Sequence, residues 1–177
     1  MTEVRPAHAI FLNGSYGIGK STLLEHLGDQ LAAAGTPFAL MDVDWFHRSW
    51  PPAPHDPSNV VVEAENIAAV WAAYQRGGPR QLVLAGVIET AEDRARYERA
   101  TGLAVRSVRL EADPGVREAR LRRRYTSAQH AALQWHLARH ETLAQRLRAA
   151  DLDELVVQTD DLQPHVLAQE VLEHFTR

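Results

Sequence analysis

The 177-residue chain carries 45% hydrophobic and 24% charged residues, no cysteine and a formal net charge of −4. These values fit one soluble domain with one core, exclude disulfides and thiolate metal sites, and supply no positive field to gather nucleic acid. No apolar run reaches the roughly 18 residues of a bilayer crossing, and Met1–Pro6 lacks the basic-then-apolar layout of a signal peptide, so a cytoplasmic protein without a membrane partner is expected, as monomer or homodimer.

Apolar runs alternate with amphipathic stretches along the chain, which predicts an α/β fold with a mainly parallel sheet. His8–Leu12 reads as a buried strand and is followed by a glycine-rich turn and a helix over about Lys20–Ala34. Gly35-Thr36-Pro37 breaks that helix before a second strand at Phe38–Val43. Residues 50–58 hold four prolines and form an irregular loop. A helix then spans about Asn59–Gln75, ended by Gly77-Gly78-Pro79.

Gln81–Ile88 is the third strand and Ala91–Ala100 a charged helix. Leu103–Leu110 alternates apolar and polar residues, which suits a strand near a sheet edge. Asp113-Pro114 opens a helix, with Asp as N-cap and Pro in the first turn. Arg117, Arg120, Arg122, Arg123 and Arg124 lie on it. One long helical segment is expected over about Ser127–Ala150, then a short strand at Glu154–Gln158 and a closing helix at Gln163–Phe175. Five strands with helices on both faces make a three-layer α/β/α domain over residues 1–177.

Gly14-Ser15-Tyr16-Gly17-Ile18-Gly19-Lys20-Ser21 satisfies G-x-x-x-x-G-K-[ST] between a strand and a helix. Glycines let successive N–H groups turn inward toward phosphate oxygens, and the helix N-terminus adds its positive end there. Lys20 is placed for the β- and γ-phosphates and the Ser21 hydroxyl for Mg²⁺. Lys20 is also the only lysine among 19 basic residues. In a chain that otherwise uses arginine, a compact ammonium is kept where a planar fork does not substitute. Gly14–Ser21, with Thr22, therefore form the expected ATP-binding loop. N-K-x-D is absent, since no second lysine exists, which argues against guanine specificity.

On this loop, on Met41-Asp42-Val43-Asp44-Trp45-Phe46, on the R-L-x-x-R pattern of Arg120–Arg124 and on Val156-Val157-Gln158-Thr159-Asp160, the chain resembles the small phosphate-loop kinases. That group includes the nucleoside monophosphate, shikimate, gluconate and adenylylsulfate kinases and chloramphenicol phosphotransferase. The resemblance implies a P-loop fold of nucleotide-kinase type with a short helical lid over about residues 114–130. It also implies ATP and Mg²⁺ as cofactors and a small-molecule hydroxyl as acceptor.

Asp44 matches the family's acid after the second strand, so it is the expected base with Asp42 in support, with N-capping of a helix beginning at Trp45 as the alternative or an additional role. Arg120 and Arg124 share a helix face and stand as phosphate clamps, Arg120 with ATP contact as well, against the alternative of a solvated basic face. Phe46, Arg48 and Glu89 complete the expected acceptor contacts, and Arg94 and Tyr97 are weaker ones. Trp45 and Phe46 suit either an acceptor wall or the core. His136 and His140 are spaced i, i+4 but lack the H-E-x-x-H glutamate, so no metal is assigned to them. An ATP hydrolase and a non-catalytic nucleotide sensor stand as the alternatives to a kinase.

Overall fold

The computed structural model describes residues 8–160 and 162–175. The Met1–Pro6 segment read above lies outside the described residues. Five strands form one sheet: β1 (His8–Asn13), β2 (Phe38–Asp42), β3 (Gln81–Gly86), β4 (Ala104–Glu111) and β5 (Leu155–Gln158). Their order is β2-β3-β1-β4-β5, and all four pairings are parallel. The helices are α1 (Lys20–Ala33), α2 (Val60–Gln75), α3 (Ala91–Thr101), α4 (Pro114–Arg124), α5 (His130–Leu137), α6 (His140–Ala150) and α7 (Pro164–Phe175). Among the described residues no helix is long and apolar enough to cross a membrane.

The central strands explain why the sheet is covered twice. Along β1 successive side chains point to opposite faces. Ile10 and Leu12 enter a core with Leu23, Leu27 and Leu31 of α1 and Leu167 and Val171 of α7. Ala9 and Phe11 enter the other, with Ile67 and Trp71 of α2 and Tyr97 of α3. Every residue of β3 is buried, the mark of a strand packed on both faces.

Local chemistry sets the ends. Thr90 and Asp93 make a reciprocal capping box at the start of α3, and Gly102 closes that helix in the left-handed conformation. Asp113 caps α4, with Pro114 at its first position, as expected.

One expectation is corrected. The segment read as one helix over Ser127–Ala150 is a 3-10 turn (Ser127–Gln129), α5 and α6, with a break at Ala138–Arg139. No glycine or proline lies in that stretch, so the break has no local breaker. The two halves meet different surroundings: α5 has no fully buried residue, whereas α6 buries Leu143, Ala144 and Leu147. β4 lies near the sheet edge as expected, one strand in, and its arginines find partners within the fold. Arg109 is buried and pairs with Glu111 (2.9 Å) and Asp153 (3.3 Å).

Arg106 also has partners, and they tie three elements together. Its Nε donates to Glu154 (2.8 Å), and His174 Nε2 lies 3.0 Å from the same carboxylate. The Arg106 hydrogen bonds hold the Glu154 pKa down at about 2, with His174 helping. A folded value below the unfolded one stabilises at every pH above the ordinary glutamate range, and that stability is lost as pH falls through about 2. Glu154→Gln is therefore expected to lower the melting temperature by roughly 1–3 °C near neutral pH, since the group is partly exposed. Thermal melts should show the difference closing as pH falls toward 2. A difference that persists unchanged in acid would rule out the ion pair as its source.

Candidate active site

The loop between β1 and α1 is held from three sides. At its entry the buried Asn13 uses its whole amide: Oδ1 accepts from Gly14 N (2.9 Å) and Ile88 N (3.0 Å), while Nδ2 donates to Ile88 O (3.1 Å) and Asp153 (3.0 Å). Ser15 Oγ donates to the His140 carbonyl at 2.5 Å. At the apex, Gly17 has φ +74°, and a Cβ there would come within 2.8 Å of Leu121 Cγ and 2.9 Å of the Arg117 carbonyl. The loop is thus packed directly on α4, and only glycine fits.

The start of α1 is left without a side-chain cap. Its N-cap is Gly19 at φ 101°, and the first turn holds no acid. A Cβ at Gly19 would meet nothing within 4 Å, so the space outside is open. The first-turn N–H groups of a 14-residue helix therefore face that space without a side-chain acceptor, an arrangement that suits an anion. Lys20 Nζ donates to Gly14 O (2.7 Å) and Ser15 O (3.2 Å). Burial pushes its pKa below the ordinary lysine value; Asp44 and Asp42 pull it back, and Arg124 adds to the lowering.

A cavity of about 920 Å³ opens over this loop. Its floor is Ser15–Thr22. Asp42 and Asp44 stand at one end with Trp45 and Arg48, and Arg120, Arg124 and Thr159 stand at another part of the rim. Ser21 Oγ donates to Asp42 Oδ2 at 2.6 Å. Asp42, the last residue of β2, also accepts from Asp44 N (3.3 Å) and so caps a 3-10 turn over Val43–Trp45. Asp44 is therefore not the cap, and its own carboxylate is left for the cavity. Nor do the two acids lie on one extended strand, since the chain turns between them.

The arginine helix sorts differently from its sequence reading. Arg117 is buried and pairs with Glu141 of α6, and Arg122 pairs with Glu118 one turn back, so these two have counter-charges within the fold. Arg120 reaches the cavity, but it donates to Ile18 O (3.1 Å), Thr159 Oγ1 (2.8 Å) and Thr159 O (2.6 Å). It ties the loop to the turn after β5. Arg124 makes no ion pair or hydrogen bond among the described residues and lies 5.7 Å from the Tyr125 ring.

Four aromatic rings roof the loop. Tyr16 meets Trp135 (5.4 Å) and His136 (4.9 Å) of α5, and Tyr125 OH lies 3.0 Å from His136 Nδ1. Burial and the charges of Asp44 and Glu89 raise the Tyr16 phenol pKa. The phenol is therefore neutral at physiological pH.

Several expected contacts lie elsewhere. Phe46 packs against the second core and does not line the cavity. Glu89 is also off the lining and pairs with Arg146 (3.1 Å). Arg94 is spent on Ser107 and the Leu152 carbonyl. Tyr97 is buried against Phe11 and donates to Glu63 at 2.9 Å.

Glu63 is a residue the sequence reading missed. It is buried in α2 and also holds His47 Nδ1 at 2.9 Å. It thereby anchors the segment that carries Asp44, Trp45 and Arg48. Its only sequence signal is an acid set directly after Val60-Val61-Val62. Burial and the adjacent Glu63 charge drive the Tyr97 pKa far up, so Tyr97 remains a donor. Glu63→Gln keeps the shape and loses the charge-assisted bonds, at an expected cost of about 1–3 kcal/mol in stability. Urea unfolding checks this, and an unchanged midpoint would remove the anchoring role.

No family model matches the chain, and no curated protein matches it by sequence. Solved structures share its fold. The tunicamycin resistance protein of Deinococcus radiodurans superposes with a TM-score of 0.62 at 17% identity, over 94% of this chain and 95% of that one. A gluconokinase from Sinorhizobium meliloti gives 0.58 at 18% identity, over 98% and 94%. The shikimate kinase of Acinetobacter baumannii, solved with shikimate, gives 0.53 at 19% identity, over 97% and 94%. The chain has the α/β fold of the small phosphate-loop kinases.

Proposed function

We propose, with that fold as premise, that the protein is an ATP- and Mg²⁺-dependent phosphotransferase acting on a hydroxyl of a small molecule. The observation that carries this reading is the convergence on one cavity of three groups: uncapped helix amides with Lys20, the Ser21–Asp42 pair, and the unpartnered carboxylate of Asp44.

The amides of Gly19–Thr22 and Lys20 would bind the β- and γ-phosphates. The anionic phosphates would raise the Lys20 pKa again, since they oppose the burial that lowers it. Ser21 and Asp42 present a hydroxyl and a carboxylate oxygen 2.6 Å apart. This donor set fits Mg²⁺, which takes oxygen ligands and binds through one or two carboxylates together with substrate phosphates. Bound there, Mg²⁺ would neutralise phosphate charge.

Asp44 would take the proton of the acceptor hydroxyl as its oxygen bonds to the γ-phosphorus and the bond to the β-phosphate oxygen breaks, releasing ADP. Arg124, whose charge acts on Lys20 and which has no ion pair among the described residues, would meet the transferring group. Arg120 would hold the nucleotide-side turn in place. The domain is read as one unit, with α4 and the turn after it closing over the nucleotide.

The test is transfer itself. The protein, ATP, Mg²⁺ and a panel of small alcohols are incubated, and products are followed by mass spectrometry. A phosphorylated acceptor formed in step with ADP supports the reading. Equal ADP and free phosphate, indifferent to every acceptor, makes it a hydrolase. Tight ATP binding with no turnover makes it a sensor.

A further inference from the structure

A buried carboxylate lies at the base of the phosphate loop, and neither phosphate binding nor proton transfer uses it directly. Asp153, in the turn between α6 and β5, has a side chain only 1% exposed. It accepts from Asn13 Nδ2, at 3.0 Å through Oδ1 and 3.3 Å through Oδ2, and lies 3.3 Å from Arg109 Nη1. Arg109 does not depend on this contact, since Glu111 (2.9 Å) and the Leu147 carbonyl (3.4 Å) also take its guanidinium. Asn13 is the partner whose state Asp153 decides.

The reason is the chemistry of an amide. An asparagine side chain has one accepting and one donating end of nearly the same shape, so it can be seated in two ways. On one side Asn13 meets two donors, Gly14 N (2.9 Å) and Ile88 N (3.0 Å). On the other it meets the Ile88 carbonyl (3.1 Å) and Asp153. A carboxylate accepts and does not donate. A reversed amide would set oxygen against oxygen at Asp153 and N–H against N–H at the loop, so one seating is allowed.

That seating reaches the cavity. Gly14 has closed surroundings, since a Cβ there would lie 3.1 Å from both Ile18 Cγ2 and the Leu110 carbonyl. The Gly14 carbonyl takes Lys20 Nζ at 2.7 Å. Loss of the Asn13 bond frees the residue whose carbonyl places this ammonium.

We propose that Asp153 is a positioning residue for phosphate binding: it orients the Asn13 amide, which fixes Gly14 and through it Lys20. The proposal rests on the reading of the cavity as a nucleotide site. A buried ion pair often adds little net stability over apolar packing, and orientation is what this one supplies.

Titration calorimetry compares ATP and inorganic tripolyphosphate, each with Mg²⁺, at a temperature where every variant is folded. Asp153→Asn keeps the shape but can offer either end of its own amide, so Asn13 is free to reverse. Its affinity for both ligands is expected to fall by the same factor, about tenfold, because the loop meets the phosphates and not the base. Glu154→Gln, which loses the neighbouring ion pair to Arg106, should bind both as wild type does. In an Asn13→Ala background, Asp153→Asn should cost no further affinity.

Wild-type affinity in Asp153→Asn would overturn the inference, as would a loss confined to ATP. An equal loss in Glu154→Gln would do the same, since it would mark a general effect of stability. Additive losses in the double variant would also overturn it; if Asn13→Ala does not fold, the two single variants decide. A wild-type protein that binds neither ligand removes the nucleotide reading and this one together.

Discussion

Asp44→Asn is expected to lower kcat by about 10²- to 10⁴-fold, the range for loss of a positioned general base. The change keeps the side chain's size, and the Asp44 carboxylate makes no hydrogen bond among the described residues, so the fold should be unaffected. Only its backbone N–H and carbonyl serve the local structure, toward Asp42 and Arg48, and both survive the substitution. The apparent affinity for ATP should stay within about threefold, because an interaction made mainly in the transition state lowers kcat and kcat/KM together. One opposing effect is small: Asp44 helps keep Lys20 charged, and bound phosphates take over that role. Steady-state kinetics with saturating ATP measures this. Turnover equal to wild type would end the assignment of Asp44 as base.

Lys20→Met should have the second large effect, and it divides into two opposite signs. Toward nucleotide, the variant loses a charge-assisted contact of about 1.5–3 kcal/mol, or roughly 10- to 100-fold in Kd, and more in turnover as charge develops on the transferred group. Toward stability without nucleotide, it should be neutral or favourable. Burial lowers the Lys20 pKa, so the folded protein holds this proton less well than the unfolded chain does. That cost is fully present at any pH below the folded pKa and is relieved as pH rises toward the ordinary lysine value. A methionine keeps most of the stem and removes the charge.

The expected result is a melting temperature at or above wild type alone, together with a much reduced rise on adding Mg²⁺ and ATP. A variant that gains as many degrees from nucleotide as wild type would show that Lys20 does not bind it. Lys20→Arg should not rescue binding, because the fork is wider than the ammonium that reaches Gly14 O and Ser15 O.

The placement of Lys20 was legible in the chain because it follows from local spacing. A strand, a glycine turn and a helix bring the amides and the lysine of one loop together, whatever the remainder of the fold does. Asp42 and Asp44 were readable for a related reason, since the carboxyl end of a parallel strand opens beside that loop. The sequence makes Asp44 the expected base with Asp42 in support but leaves open whether Asp44 instead caps a turn. That depends on Asp42 itself capping the 3-10 turn and meeting Ser21 at the start of α1, 21 positions away. The arginines show the same limit. Five on one helix look alike in sequence, yet Arg117 is buried on Glu141, Arg122 answers Glu118, Arg120 bridges Ile18 to Thr159, and Arg124 stays unpaired.

From its sequence alone this protein is committed to an α/β sheet with a glycine-rich turn between the first strand and helix, because hydrophobic periodicity and glycine spacing act over a few residues and need no partner. Tertiary structure alone decided the rest: the break between α5 and α6, the burial of Glu63 against Tyr97 and His47, the withdrawal of Glu89, and the meeting of Asp153 with Asn13. Each depends on which charged group finds a counter-charge or a hydrogen-bond acceptor across the fold, and the cost of leaving such a group unpaired is set by packing that no local stretch of chain specifies.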